Sequence, residues 1–173
     1  MLPIVVIVGR SNVGKSTLFN RLIRSKKALV GDVPGLTRDR HFGEANLGKF
    51  NFLIVDTGGF EPNAKDALQS HMTSQTEEAI FEADTIIFLV DGRSGIVSGD
   101  QNISTLLRKT GKPVHLVVNK LEGITSETYC SEFFELGFGT PMAISAEHGD
   151  GVRSMADSIT KVFIDSEKNI NNL

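Results

Sequence analysis

The sequence holds a single cysteine, Cys130, among 173 residues. No intramolecular disulfide can form, and a reducing compartment is expected. No apolar run approaches the roughly 20 residues that a membrane-spanning helix needs. The first residues read as a strand and lack the basic and apolar regions of a secretory signal. The expected location is therefore the cytoplasm, with no membrane partner. Strong charge is also lacking. The net charge is −3 and the isoelectric point about 5.8, which argues against direct, unassisted nucleic-acid binding. Arg21, Arg24, Lys26 and Lys27 cluster locally, but a solvated helix end accounts for them. There is no internal repeat and no low-complexity segment. Hydrophobic residues at 40% and charged residues at 23% fit one ordinary globular domain, expected over residues 1–164, with a polar tail at 165–173.

The most informative stretch is Gly9-Arg10-Ser11-Asn12-Val13-Gly14-Lys15-Ser16-Thr17. It follows the apolar run Ile4-Val5-Val6-Ile7-Val8 and precedes Leu18-Phe19-Asn20-Arg21-Leu22-Ile23. The order is buried strand, glycine loop, amphipathic helix, the context in which G-x-x-x-x-G-K-[ST] cradles phosphate. Gly9 and Gly14 allow close backbone approach and turns that a side chain would block. The freed N–H groups and the helix N-terminus attract negative charge. Lys15 supplies a point charge for the outer phosphates, and the Ser16 hydroxyl can hold Mg²⁺.

The remaining elements alternate. A helix is expected over residues 15–25, then a Gly- and Pro-punctuated loop over 26–40 whose length suggests function or mobility. Residues 41–47 and 49–55 read as a hairpin. A helix follows at 72–82, with Ala79, Ile80 and Phe81 near its end, and a strand at 85–90. Ser98-Gly99-Asp100-Gln101 has capping-box spacing before a helix carrying Ile103, Leu106 and Leu107 on one face. A strand at 114–118 leads to Asn119-Lys120-Leu121-Glu122. A helix at 126–136 is expected to turn Tyr129, Phe133 and Phe134 inward and to end at Gly137. After a short strand at 141–144, the last helix buries Val152, Met155, Ala156, Ile159, Val162 and Phe163, and residues 165–173 read as a frayed end or linker. This is an α/β doubly wound, mostly parallel six-stranded sheet with one antiparallel edge strand. Such sheets bind ligands beyond the carboxyl ends of their strands, where Gly9 to Ser16, Asp56 to Gly59, Asn119 to Glu122 and Ser145-Ala146 all fall.

Each of these loops has its chemistry. Asp56, at a strand end, can hold Mg²⁺ through water beside Ser16. In Asp56-Thr57-Gly58-Gly59, the bare Gly59 N–H could approach a terminal phosphate. Glu122 can accept from N1–H and N2–H₂ of guanine, a donor pair that adenine lacks. Lys120 would lay its stem over the base and reach back to the glycine loop. Ser145-Ala146 would present an N–H to guanine O6. His41, His71, His115 and His148 show no metal-ligand spacing; His115 is expected to be packed and His71 exposed. Tyr129, Phe133 and Phe134 are read as core.

Together these boxes resemble the G1 to G5 motifs of the translation-factor-related GTPases, with the Ras-like P-loop fold, over nearly the whole chain. Gly9 to Leu22, Pro34-Gly35-Leu36-Thr37-Arg38-Asp39, Asp56-Thr57-Gly58-Gly59-Phe60, Val90-Asp91-Gly92-Arg93-Ser94-Gly95 and Ser145-Ala146-Glu147-His148-Gly149 resemble the first GTPase domain of the Der (EngA) family. That family comprises bacterial ribosome-assembly factors with two tandem GTPase domains and a KH-like domain. The resemblance implies GTP and GDP as ligands, GTP hydrolysis, Mg²⁺, and the large ribosomal subunit as partner. It also implies that the chain is the first domain of a longer protein, with the second GTPase domain and the KH-like domain in cis. Residue by residue, it implies nucleotide contacts from residues 9–17, 56–59, Asn119, Lys120, Glu122, Ser145, Ala146 and Glu147. Thr37 matches the switch I threonine that joins Mg²⁺, and residues near 57–72 match switch II. Asn12 matches the asparagine of potassium-activated members, which places K⁺ among the phosphates as an arginine finger would. The catalytic set would be Lys15, Thr37, Asn12 and Gly59.

Two positions depart from the wider pattern. Phe60 stands where Ras-like enzymes carry a water-orienting glutamine, so intrinsic hydrolysis should be slow unless K⁺, backbone or a partner compensates. Glu122 stands where the box ordinarily ends in Asp, one methylene shorter, and guanine reading is expected to survive that change. Three other readings compete. A P-loop phosphotransferase would leave Asn119-Lys120 unexplained. A nucleotide-binding module without appreciable hydrolysis is kept open by Phe60. A tRNA-modification or Era-type domain is the nearest relative reading.

Overall fold

The computed structural model describes residues 2–23, 41–58, 73–122 and 130–171. Strand β1 (Ile4–Val8) is followed by helix α1 (Lys15–Ile23), then the hairpin of β2 (His41–Ala45) and β3 (Phe52–Asp56). Helix α2 (Ser74–Glu82), β4 (Thr85–Asp91), α3 (Ser98–Lys109) and β5 (Val114–Asn119) come next. A 3-10 helix (Ser131–Leu136), the short β6 (Met142–Ala143) and α4 (Val152–Asn171) complete the described chain.

The strands form one six-stranded sheet in the order β2-β3-β1-β4-β5-β6. β2 runs antiparallel to β3 and every other pairing is parallel. The expected architecture, including the antiparallel edge, is what the chain adopts. The apolar run of β1 is continuous because strand side chains alternate between two covered faces. Val5 and Ile7 join Ile54, Ile87, Leu89 and Val117 beneath α1 and α4, where Leu18, Phe19, Leu22, Met155 and Ile159 meet them. Ile4, Val6 and Val8 point the other way with Leu53, Val55, Phe88 and Val118, against Ala79, Ile80, Leu107 and Phe133. Two dry layers therefore hold the sheet rigid. The loops at its carboxyl edge, after β1, β3, β4, β5 and β6, are left to carry polar groups.

Several local expectations are corrected. The capping residue of α3 is Val97, not Ser98: the Asp100 carboxylate accepts from the Val97 N–H at 3.1 Å, and the Asp100 N–H returns to the Val97 carbonyl at 3.0 Å. Asp100 is completely buried. α2 starts at Ser74 behind Thr73, whose hydroxyl caps the Thr76 N–H, and its Phe81 is 79% exposed. The segment before Gly137 is a 3-10 helix. Its three-residue period stacks Phe133 and Leu136 inward and turns Phe134 to solvent, against the expectation. Gly137 takes the expected left-handed cap, φ 78°. Helix α4 does not fray at residue 165 but continues to Asn171 through exposed residues, and its Val162 is exposed. The loop expected at 26–40, the first residues of the 126–136 helix with Tyr129, and His71 lie outside the described residues.

His115 sits on β5 opposite Ile87, and burial pushes its imidazole below the ordinary value of 6.5. The unfolded chain therefore takes up this proton first as pH falls. The resulting stability is fully present above pH 6.5 and is lost as pH falls through the lower folded value. Urea unfolding should show a midpoint that drops from pH 7 to pH 5, and His115→Gln should flatten part of that drop. An unchanged slope in the variant would assign the pH dependence to other groups.

Candidate functional site

The glycine loop is shaped from below by the sheet. A Cβ on Gly9 would lie 2.4 Å from the Leu89 carbonyl oxygen of β4. One on Gly14, at φ 104°, would lie 2.3 Å from the Asn119 amide nitrogen of β5. Both glycines are thus required by packing against neighbouring strands, and the loop is drawn over the carboxyl edge. Asn12 adopts φ 66°, a left-handed conformation that an asparagine tolerates better than most residues. Val13 is fully buried beneath the loop, and Ser11 and Asn12 face solvent. The Arg10 side chain turns away to Asp100, with Nε 3.3 Å from Oδ1.

At the glycine-loop end, Lys15 is buried and its Nζ donates to the Gly9 and Arg10 carbonyls, each at 2.8 Å. The Ser16 hydroxyl donates to Asp56 Oδ2 at 2.9 Å. The two residues expected to meet Mg²⁺ therefore converge from α1 and β3. Asp56 is 2% exposed, and its other oxygen accepts the Gly58 N–H at 2.8 Å. A buried carboxylate with a hydroxyl at its side is a donor set that suits a hard divalent cation. Thr57 turns inward, and its hydroxyl donates to the Ile7 carbonyl at 2.7 Å, locking the end of β3 onto β1. Thr37 and Gly59, expected to complete this end, lie outside the described residues, as do Arg38 and Phe60.

At the other end a cavity of about 310 Å³ is lined by Gly14, Thr17, Arg93, Asn119, Lys120, Glu122, Glu147 and His148. Asn119 is its keystone. The amide donates to the Val13 carbonyl at 2.9 Å, and its oxygen accepts the Ala146 N–H at 2.9 Å. That second bond corrects one expectation: the Ala146 N–H is already directed to Asn119 and is not turned towards the cavity. Lys120 holds φ 67° and reaches back to the glycine loop, donating to the Asn12 carbonyl at 2.7 Å and to Asp91 Oδ2 at 3.0 Å. Glu122 Oε1 accepts the Ser145 hydroxyl at 3.0 Å, and Oε2 accepts from Arg93 at 2.8 Å. Burial opposes ionisation of both Asp91 and Glu122. For Asp91, Lys120 and the Arg93 and Ser94 N–H groups outweigh it. For Glu122, its own N–H, the Ser145 hydroxyl, Arg93 and His148 do so. Both carboxyls are held below their ordinary values and are ionised at neutral pH.

Sequence reasoning missed four contributors. Arg21 on α1 donates to the Ala146 and Glu147 carbonyls at 2.6 and 2.5 Å, holding the loop after β6 against α1. Arg93 and Asp91 anchor the loop after β5 from the end of β4. His148 lines the cavity, and its ligand atom lies within 4.8 Å of those of Glu122 and Glu147. The rule that ligands gather at carboxyl strand ends would have drawn attention to the loop after β4 as it did to the other four.

Among the described residues no helix is long and apolar enough to cross a membrane. Comparison with known proteins agrees with the site. Residues 4–120 match the model of the 50S ribosome-binding GTPase family. GTPase Der of Burkholderia mallei is 56% identical over 162 residues, covering 94% of this chain and 36% of that protein. The chain thus spans about a third of the length of the curated relatives it matches. Among solved structures, Aquifex aeolicus Era bound to GDP and aluminium fluoride superposes with a TM-score of 0.73 at 30% identity, covering 93% of this chain and 57% of that one. Era with MgGDPNP and a piece of 16S ribosomal RNA gives 0.71 at 28%, over 92% and 56%. The resemblance to Der stands, and the chain belongs to the 50S ribosome-binding GTPase family.

Proposed function

We propose that this chain is a GTP-binding and GTP-hydrolysing switch domain, the first GTPase domain of a Der-type ribosome-assembly factor. The observation that carries the reading is the division of one sheet edge into two matched ends. Lys15 on the glycine loop and the Ser16–Asp56 pair make one end, and the loops joined by Asn119 border a cavity of about 310 Å³ at the other. The lysine needs no rebuilding to bind: its contacts to two loop carbonyls are replaced by phosphate oxygens, which are stronger acceptors. Ser16 and Asp56 would hold Mg²⁺, which supplies charge neutralisation at the β- and γ-phosphates. Glu122, ionised and facing the cavity, would read guanine, and Lys120 would lie across the base. Asn12, solvent-facing on the loop, would hold K⁺. Thr37 and Gly59 would order around a γ-phosphate and relax after hydrolysis.

On this reading catalysis rests on positioning and electrostatics. The 56% identity to GTPase Der, against 30% to Era, favours the Der-type reading over an Era-type one. On that reading the full protein carries a second GTPase domain and a KH-like domain. It works in the cytoplasm on the large ribosomal subunit or its precursor, and helix α4 leads towards the linker.

Hydrolysis of GTP by the chain with Mg²⁺, in KCl against NaCl at equal ionic strength, tests the catalytic half. Stimulation by potassium is expected, and Asn12→Ala should abolish it. Equal slow rates in both salts would remove the potassium role from this domain. Lys15→Ala should cut GTP affinity or turnover by at least about a hundredfold, because it removes the ammonium that this loop offers to the outer phosphates.

Asn119→Ala should be costly twice over. It leaves the buried Val13 carbonyl and Ala146 N–H without their shared partner, worth about 1–3 kcal/mol for each unsatisfied group. Thermal unfolding without nucleotide should fall accordingly, and GDP should restore less stability than in the wild type. A variant with unchanged melting and unchanged GDP response would contradict the keystone role.

A further inference from the structure

Arg93 has no part in the phosphate or base contacts proposed above, yet it lines the cavity and touches its key acid. Its placement is built in. The β4–β5 pairing continues past the strand end through a Gly92 N–H to Asn119 carbonyl bond of 2.8 Å. A Cβ on Gly92 would lie 2.5 Å from the Leu121 side chain. A side chain there would crowd Leu121 and Val118, and glycine lets the two loops close up without moving them. Arg93 is then held at both ends. Its backbone N–H donates to Asp91 Oδ1 at 2.9 Å. Its guanidinium donates from Nε to the Lys120 carbonyl at 3.2 Å and from Nη2 to Glu122 Oε2 at 2.8 Å. Asp91 closes the circuit by accepting Lys120 Nζ on its other oxygen.

We infer that Arg93 is a positioning residue for guanine discrimination, orienting the carboxylate of Glu122; this rests on Glu122 being the base-reading acid. A glutamate has one more rotatable bond than the aspartate that ordinarily ends this box, and an unrestrained carboxylate would lose entropy on binding the base. Here Ser145 donates to Oε1 and Arg93 to Oε2, in addition to the contact from the residue's own N–H. The side of the carboxylate that faces the cavity is where the N1–H and N2–H₂ of guanine would donate. The planar guanidinium spans the Lys120 carbonyl and the Glu122 carboxylate at once, which a lysine ammonium cannot reproduce with the same fixed geometry. Arg93 is 61% exposed at its side chain. An ion pair that open contributes little to stability, so the contact acts on orientation and the variant should fold.

Binding of GDP and IDP to the chain with Mg²⁺ tests this. Inosine keeps N1–H but lacks the 2-amino group, so the GDP:IDP affinity ratio reads whether both oxygens engage. The wild type should prefer GDP by about tenfold or more, the size of one well-placed hydrogen bond to a charged group. Arg93→Ala should bring that ratio to within about threefold of unity, mainly by weakening GDP, with unchanged melting. Arg93→Lys should recover part of it. In a Glu122→Asp background, whose shorter acid does not reach the guanidinium, Arg93→Ala should move the ratio by less than about twofold. A wild type without GDP preference would overturn the base-reading role of Glu122, and this inference with it. A wild type that discriminates, with Arg93→Ala keeping the same ratio or losing both nucleotides equally, would overturn the positioning role alone.

Discussion

The side-chain amide of Asn119 is the interaction on which the rest of the site depends. It sits at the end of β5, deep enough to be 3% exposed, and it joins the loop after β1 to the loop after β6. Buried polar groups are tolerated only when satisfied, so the three loops must fit together or each leaves an orphan. Gly14 has no side chain because that amide occupies the space where its Cβ would be. Arg21 clamps the same loop after β6 from the helix side. The consequence is a cavity whose walls come from distant parts of the chain and are tied together through one side chain.

Strain and charge are arranged around this joint. Among the described residues, Asn12 and Lys120 are the two non-glycine positions with positive φ, and they touch: Lys120 Nζ donates to the Asn12 carbonyl. Such conformations persist where the surroundings over-determine them, and they gather at functional sites. Asp91 holds the same ammonium from the other side. Lys120 is thereby stretched across the top of the cavity before any ligand arrives, which lowers the ordering cost of binding. The phosphate end is arranged differently. Lys15 and Ser16 are held by protein acceptors that a phosphate and a cation would replace.

Much of this was legible in the residues. The β-branched run at 4–8 followed by the glycine loop placed β1, the loop and α1, because a strand covered on both faces has no polar alternative. Asp56, Asn119 and Ser145 were found by their position after strands. Orientation within short elements was not legible. Phe134 is read as core beside Phe133, but the period of a 3-10 turn exposes it. The cap of α3 was misplaced because Ser98 offers the hydroxyl that a capping box ordinarily uses, whereas the chain uses the Asp100 carboxylate behind Val97. Arg21 and Arg93 act through carbonyls and a carboxylate more than 25 residues away in sequence, and no local spacing announces such contacts. Arg10 belongs to the glycine loop by its spacing, and no local signal announces that its side chain pairs with Asp100 of α3.

Hydrogen exchange with and without nucleotide tests the central claim, that separate loops form one guanine-nucleotide site hinged on Asn119. GDP with Mg²⁺ should slow exchange together in residues 9–17, 119–122 and 145–148, and ADP at the same concentration should leave all three unchanged. Protection confined to residues 9–17, or equal protection by ADP, would contradict it and would reduce the site to a phosphate-binding loop without a base pocket.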